Sequence, residues 1–106
     1  MIRKKVLAPD RLRSPGKSFC FIPHRFLTGG FLQSLSHDEL ILYVFLALAS
    51  DRSGVSFYGD GTICSMLKLN KDEYLMARGK LIHKDLIEYD GTLFQVLSLP
   101  PHVHNR

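Results

Sequence analysis

Two N-terminal capping boxes mark the starts of the two longest predicted helices in this chain. Ser36 is followed three residues later by Glu39, and Asn70 is followed at the same spacing by Glu73. In such a box the polar cap accepts the backbone N–H of the third helical residue, and the glutamate accepts the backbone N–H of the cap. The pattern predicts helices over about 37–50 and 71–85, with a shorter helix between them over about 60–68.

Short β-prone segments complete the order of elements. One, Val55 to Tyr58, separates the first two predicted helices, and two more, at about 86–89 and 92–98, flank Asp90-Gly91, which is typical of a two-residue type I′ hairpin turn. The order helix, strand, helix, tight turn, helix, hairpin predicts an α+β, mainly α fold: a winged helix-turn-helix with a three-helix core and a C-terminal β-hairpin wing. We expect one core to bury six residues, which are Ile63, Leu67, Tyr74, Ala77, Leu81 and Phe94.

The first predicted helix has no polar face. Every residue from Leu40 to Ala49 is apolar or aromatic, and a helix that is apolar all round must be covered on every side. The segment before it, residues 19–35 and called the lead-in below, begins with a β-prone stretch that suits a sheet edge. We expect the core to cover one side of the helix, and the lead-in, a second copy in a homodimer, or both to cover the other; a homodimer is the expected form of the protein. In either case we expect the four phenylalanines of the lead-in to be buried, namely Phe19, Phe21, Phe26 and Phe31.

Basic residues are concentrated ahead of the predicted core. Residues 1–25 carry seven Lys or Arg and one Asp, a net charge of +6, whereas residues 26–106 carry seven basic and nine acidic side chains, a net charge of −2. Residues 1–18 lack apolar periodicity and are predicted to form a basic extended arm, followed by the winged-helix domain at 19–100 and a tail at 101–106. Such an arm binds phosphates in some proteins and only solubilises others.

Composition disfavours membrane, secreted and zinc-binding classes. The longest apolar run is shorter than the roughly 20 residues that span a bilayer, and no signal-peptide core is present, so we expect a cytoplasmic protein. Cys20 and Cys64 lack C-x-x-C spacing and are expected to be buried, reduced thiols. His102 and His104 have no cysteine or carboxylate near them in sequence, which favours a solvated tail over a metal site.

Enzyme motifs do not occur in the sequence. It has no phosphate-binding loop, dinucleotide fingerprint or G-x-S-x-G nucleophile motif, so we expect neither catalysis nor a cofactor. The adjacent acids Asp38-Glu39 and Asp72-Glu73 lie in the first turns of predicted helices. Acids there interact favourably with the helix dipole, and this role is preferred over a catalytic pair.

Five segments carry a resemblance to a known family. They are I-P-H-R-F-L before the first helix, L-S-H-D-E-L-I-L-Y-V-F-L at its start, D-R-S-G-V-S-F-Y-G-D after it, A-R-G-K-L-I-H-K-D-L-I-E-Y along the third helix and first wing strand, and F-Q-V-L-S-L-P in the last strand. Over about residues 19–100 the chain resembles winged-helix proteins of bacterial mobile elements and of plasmid or phage replication initiation, with the DnaD-type N-terminal domain as a distant relative.

The resemblance implies that the third helix reads the major groove of double-stranded DNA while the wing touches the backbone. It implicates Lys71, Arg78, Lys80 and Lys84 of the third helix, all of which helical spacing predicts to point outward. The arm adds candidate phosphate contacts at Arg3, Lys4, Lys5, Arg11 and Arg13. We therefore predict a DNA-binding protein that is accessory to replication, transposition or transcriptional control, with replication or transposition proteins as candidate partners. The alternative is a protein-interaction module, for dimerisation or as a scaffold, that does not bind DNA.

Overall fold

The computed structural model describes residues 4–14, 16 and 18–103. A 3-10 turn, Pro9–Arg11, lies in the arm. The helices are α1 (Arg25–Thr28), α2 (Phe31–Ser34), α3 (His37–Ala49), α4 (Asp60–Leu67) and α5 (Lys71–His83), and the strands are β1 (Val55–Ser56), β2 (Ile87–Tyr89) and β3 (Phe94–Val96). The strands pair antiparallel in the order β1-β3-β2. The architecture is thus α+β and mainly helical, as predicted.

Both predicted capping boxes are present. In α3, the Ser36 hydroxyl accepts the Glu39 N–H at 3.2 Å, and the Glu39 carboxylate accepts the Ser36 N–H at 3.4 Å. In α5, the Asn70 side chain accepts the Glu73 N–H at 2.7 Å, and the Glu73 carboxylate accepts the Asn70 N–H at 2.9 Å. The long helices therefore begin at the predicted residues. They end one or two residues earlier than predicted.

A single apolar core joins the helices to the sheet. The prediction is confirmed for five of the six core residues, and Leu67 is half-buried instead. The reason lies at the end of α4, where Lys68 has a left-handed backbone with φ of 58°. This turn directs the next residue, Leu69, into the core. The confirmed residues are Ile63, Tyr74, Ala77, Leu81 and Phe94.

The turn of the hairpin lies one residue later than predicted. The Asp90 N–H donates to the Leu93 carbonyl at 3.2 Å, so the central residues are Gly91 and Thr92 rather than Asp90 and Gly91. Gly91 has a φ of 99° while Thr92 has no positive φ, and a type I′ turn needs positive φ at both central positions. The predicted turn type is therefore wrong. The Asp90 carboxylate accepts the N–H groups of Thr92 and Leu93 at 2.8 and 2.7 Å and so fixes the turn from its first corner.

The lead-in is only partly buried. Phe26 and Phe31 lie on α1 and α2 and are buried, and the Phe26 ring stacks on Tyr43 of α3 at 4.8 Å. Phe19 and Phe21 are 65% and 75% exposed, so the expectation of burial is wrong for these two. They precede α1 in a segment that forms neither helix nor strand, and no regular element holds them against the core.

The segment after β3 is fastened to α1. The Arg25 guanidinium donates to the carbonyl oxygens of Leu99 and Pro100, each at 2.8 Å. Val103 is half-buried and packs against the core. The first residues of the predicted solvated tail are therefore held to the domain, while residues 104–106, including His104, lie outside the described residues.

The two cysteines are free thiols, as expected, but Cys20 and Cys64 are half-buried rather than buried. In the described ranges, no cluster of three His, Cys, Asp or Glu side chains could hold a metal ion. No helix in that part of the chain has both the length and the apolar character needed to cross a membrane.

Candidate nucleic-acid interface

Helices α4 and α5 are joined by a short turn, residues 68–70. The left-handed Lys68 reverses the chain, and the Leu69 N–H donates to the Cys64 carbonyl at 3.0 Å, which closes the end of α4. Leu69 is buried, and Asn70 caps α5 immediately afterwards. A left-handed residue followed by an inward apolar side chain is a common way to end a helix. The turn places α5 at the surface of the domain with one face inward.

The two faces of α5 differ sharply in burial. Tyr74, Ala77 and Leu81 form its inner face, with exposed fractions of 2% or less. The rest of the helix surface is exposed along its length and mixes two lysines with an aspartate, a glutamate and apolar side chains. Its exposed residues are Lys71, Asp72, Glu73, Leu75, Met76, Gly79, Lys80, Ile82 and His83.

Arg78, which the resemblance implicates in DNA binding, bonds within the protein. Its guanidinium lies 3.4 Å from the Asp60 carboxylate at the start of α4 and donates to the Tyr74 hydroxyl at 3.3 Å. It also stacks over the Tyr89 ring of β2 at 4.4 Å. One side chain therefore links α4, α5 and the hairpin. Its side chain is 21% exposed, so the expectation that it points outward is wrong.

Tyr74 is the buried anchor of the Arg78 cluster. Its hydroxyl donates to the Asp60 carboxylate at 2.6 Å, and the residue is fully buried. Burial and this hydrogen bond to an anion together raise the pKa of Tyr74, against the opposing effect of Arg78. The phenol thus remains protonated and serves as a hydrogen-bond donor that fixes the start of α4 to α5.

Lys84, at the end of α5, also points inward. Its ammonium lies 2.6 Å from the Glu39 carboxylate and donates to the Ser34 carbonyl at 2.7 Å. The side chains of Lys84 and Glu39 are 11% and 9% exposed. The predicted outward position of Lys84 is therefore wrong. The reason is that the buried carboxylate of Glu39 needs a cationic partner.

Of the cations that the sequence implicates in DNA binding, the exposed ones lie on α5 and in the arm, while Arg25, Arg52 and Lys68 are exposed elsewhere. Lys71 and Lys80 are exposed on the outer face of α5. In the arm, all described residues from 4 to 14 are exposed, and they hold four cations against the single acid Asp10. The four are Lys4, Lys5, Arg11 and Arg13, whereas Arg3 lies outside the described residues.

The tip of the hairpin carries an acid. Hydrogen bonds from the N–H groups of Leu93 and Thr92 lower the pKa of Asp90, so that its carboxylate stays charged at neutral pH. A negative charge at this position disfavours close approach to phosphates. The hairpin tip is therefore a poor contact for a nucleic-acid backbone.

An exposed apolar stripe on α3 is a feature that the sequence pattern alone could not locate. Ile41 and Leu48 are 42% and 66% exposed, while Leu42, Tyr43 and Leu46 of the same helix are buried. The all-apolar sequence of α3 shows that part of the helix needs a cover but not which part. The structure identifies the uncovered side.

Comparison of the chain with protein-family models, with curated proteins and with solved structures finds no match.

Proposed function

We propose that this chain is a winged helix-turn-helix protein that binds double-stranded DNA, in an accessory role in replication, transposition or transcriptional control. The observation that carries the proposal is the arrangement of α4, the turn at 68–70 and α5, with α5 buried on one face and exposed along the other. Helix-turn-helix proteins insert the second of two such helices into the major groove. The hairpin β2–β3 follows α5, and its strand β3 pairs with β1. This order of elements supports the proposal, because a winged helix has its wing after the recognition helix.

The charge distribution supports different roles in DNA binding for the arm and for α5. The exposed cations of the arm supply phosphate contacts that do not depend on sequence. On α5, Lys71 and Lys80 are the cations proposed to contact DNA, because Arg78 and Lys84 are bonded within the protein. The exposed Leu75 and Met76 offer apolar contacts of the kind that thymine methyl groups accept.

Salt-dependent binding to a fluorescent mixed-sequence duplex tests the proposal. We expect measurable binding at about 50 mM salt, with log affinity falling linearly as log salt rises. Deleting residues 1–17 should flatten that slope by about 0.9 for each phosphate that the arm neutralises. Lys71→Ala and Lys80→Ala should each weaken binding and reduce the slope by about 0.9.

Lys80→Arg is the matched control. It keeps a positive charge at the same exposed position of α5. Its slope should equal that of the unaltered chain, because the number of phosphates neutralised is unchanged. Absence of binding at about 50 mM salt, where weak phosphate contacts are detectable, would overturn the DNA proposal in favour of a protein-interaction module.

The protein-interaction alternative has one observation in its favour, the exposed apolar stripe of α3. Apolar side chains that form a continuous exposed surface mark interaction sites more often than isolated ones do. Since this stripe is on α3 and not on α5, it is compatible with DNA binding by the same chain.

A further inference from the structure

A cavity of about 980 Å³ lies between the lead-in, the end of α3, the loop after α3 and the segment that follows β3. Its volume is at the upper end of the range for sites that bind small molecules in proteins. Its walls are largely apolar, and the apolar side chains that line it include Phe19, Phe21, Tyr43, Ala47, Val96 and Leu99. A cavity of this size and lining can hold the apolar body of a small molecule.

Two phenylalanines of the cavity wall leave most of their surface in contact with water. Phe19 and Phe21 are 65% and 75% exposed, although both line the cavity. Exposed apolar surface that is gathered at one place marks a binding site more often than scattered apolar residues do. An apolar ligand in the cavity would remove this surface from water, which favours binding.

The charged groups of the cavity favour an anion. Two cations, Arg25 and Arg52, line it together with a single acid, Asp51. The Asp51 carboxylate is turned into its own loop, where it accepts the N–H groups of Ser53 and Val55 at 2.8 and 3.0 Å. Among the residues that the structure describes, neither arginine has a carboxylate partner. The cavity therefore combines apolar walls with an excess of positive charge.

The two arginines differ in what they offer a ligand. The Arg25 guanidinium already donates to the carbonyl oxygens of Leu99 and Pro100 and fastens the segment after β3. Arg52 lies in the loop after α3 and is exposed. Its planar guanidinium has the geometry that binds a carboxylate through two parallel N–H groups. Arg52 is thus the group that can hold an anion directly, while Arg25 adds positive charge.

We propose that this cavity binds an amphipathic carboxylate, a small molecule with an apolar body and one carboxylate. Arg52 holds the carboxylate, and the apolar body contacts Phe19, Phe21 and Tyr43. The arm of this chain does not fit the charge of the cavity, because its described residues hold four cations against one acid. The proposal is independent of DNA binding.

Titration with octanoate, followed by the amide resonances of the protein in NMR spectra without DNA, tests the proposal. We expect saturable shifts with a dissociation constant of about 0.1–1 mM. The shifts should be largest at residues 18–21, 50–54 and 96–99, which line the cavity. Octan-1-ol has the same alkyl chain without the charge and should bind about fivefold more weakly than octanoate.

Substitution of Arg52 tests the recognition of the carboxylate. Arg52→Met keeps the length of the side chain but removes its charge, so the dissociation constant of octanoate should rise about fivefold while that of octan-1-ol stays unchanged. Arg52→Lys should restore part of the affinity for octanoate, because it restores the charge but not the paired N–H groups. Lys68→Met removes an exposed cation that does not line the cavity and is the matched control. It should bind both ligands like the unaltered chain.

Substitution of Phe21 tests the apolar wall. Phe21→Ala should weaken binding of octanoate and of octan-1-ol by the same factor, about threefold, because both ligands lose the same apolar contact. Phe57→Ala is the matched control, since Phe57 is 69% exposed but does not line the cavity. It should leave both affinities unchanged.

Four results would overturn the proposal. They are the absence of saturable shifts, shifts centred on other residues, octan-1-ol bound as tightly as octanoate, and an affinity for octanoate that Arg52→Met leaves unchanged. Equal effects of Phe21→Ala and Phe57→Ala would contradict the contact with the cavity wall. Since no DNA is present, each result is separate from the outcome of the duplex-binding experiment.

Discussion

The Lys84 ammonium lies 2.6 Å from the Glu39 carboxylate and joins the end of α5 to the start of α3. The same carboxylate oxygen accepts the Ser36 N–H of the capping box at 3.4 Å. Lys84 also donates to the Ser34 carbonyl at the end of α2. A single buried ion pair therefore completes a helix cap and holds three helices in register.

We expect Lys84→Met to lower the free energy of unfolding by about 3 kcal/mol, because it leaves the buried Glu39 carboxylate without its cation. Glu39→Gln should also destabilise the fold, and the double variant should lose less than the sum of the two. Urea unfolding followed by circular dichroism measures all three. Lys80→Met, at an exposed position of the same helix, should stay within about 0.5 kcal/mol of the unaltered chain. Additive losses would contradict a direct Glu39–Lys84 interaction.

Acid should weaken this interaction. Burial alone would raise the pKa of Glu39, but the hydrogen bonds from Lys84 and Ser36 and the charge of Lys84 outweigh it and hold the pKa below its ordinary value of 4.5. A carboxyl with a lowered folded-state pKa stabilises the fold above its unfolded-state pKa, and this contribution is lost as the pH falls through the folded-state pKa. The free energy of unfolding should therefore fall below about pH 4.5.

In Glu39→Gln the free energy of unfolding should fall less between about pH 7 and pH 3 than in the unaltered chain, as measured by urea unfolding. Asp90→Asn provides the comparison at an exposed carboxyl, because backbone N–H groups lower the pKa of Asp90 as well. This variant should also reduce the acid-induced loss of unfolding free energy, and the double variant should reduce it further. If Glu39→Gln loses as much unfolding free energy on acidification as the unaltered chain, this carboxyl has the same pKa in the folded and unfolded chains.

The helix starts were predictable from sequence because a capping box is a local device, complete within four residues. Ser36 with Glu39 and Asn70 with Glu73 form the predicted bonds. The inner face of α5 was predictable for a similar reason, since Tyr74, Ala77 and Leu81 recur at helical spacing.

The candidate site was less predictable because its electrostatics depend on distant residues. Lys84 is 45 positions from Glu39, and Arg78 is 18 positions from Asp60. The helical spacing of residues in the sequence does not identify such distant partners. Helical spacing correctly placed Lys71 and Lys80 outside, but it could not distinguish them from two cations that long-range ion pairs draw inward.

Arg78→Ala should destabilise the fold by about 1–2 kcal/mol, because it removes a cation stacked on Tyr89 and bonded to Asp60. Arg78→Lys should recover only part of the stability, since an ammonium lacks the planar group that stacks on the ring. The amide resonances of residues 87–96, measured by NMR, should shift in both variants because the guanidinium no longer joins the hairpin to α5. Full recovery by lysine would show that charge alone accounts for the role of Arg78.

A substitution at Gly79 of α5 should change the stability of the protein and its affinity for DNA in opposite directions. It lies within the helix on the outer face, and a Cβ there would meet no atom within 4 Å. Gly79→Ala should therefore raise the free energy of unfolding by about 0.5–1 kcal/mol through helix propensity alone. If α5 enters the major groove, however, the added methyl group keeps the helix backbone from its closest approach to the bases, and the affinity for duplex DNA should fall although the protein is more stable. Thermal unfolding measures the stability, and titration of the fluorescent duplex with the same sample measures the affinity. A stabilised variant with unchanged affinity would place this face of α5 outside the DNA contact.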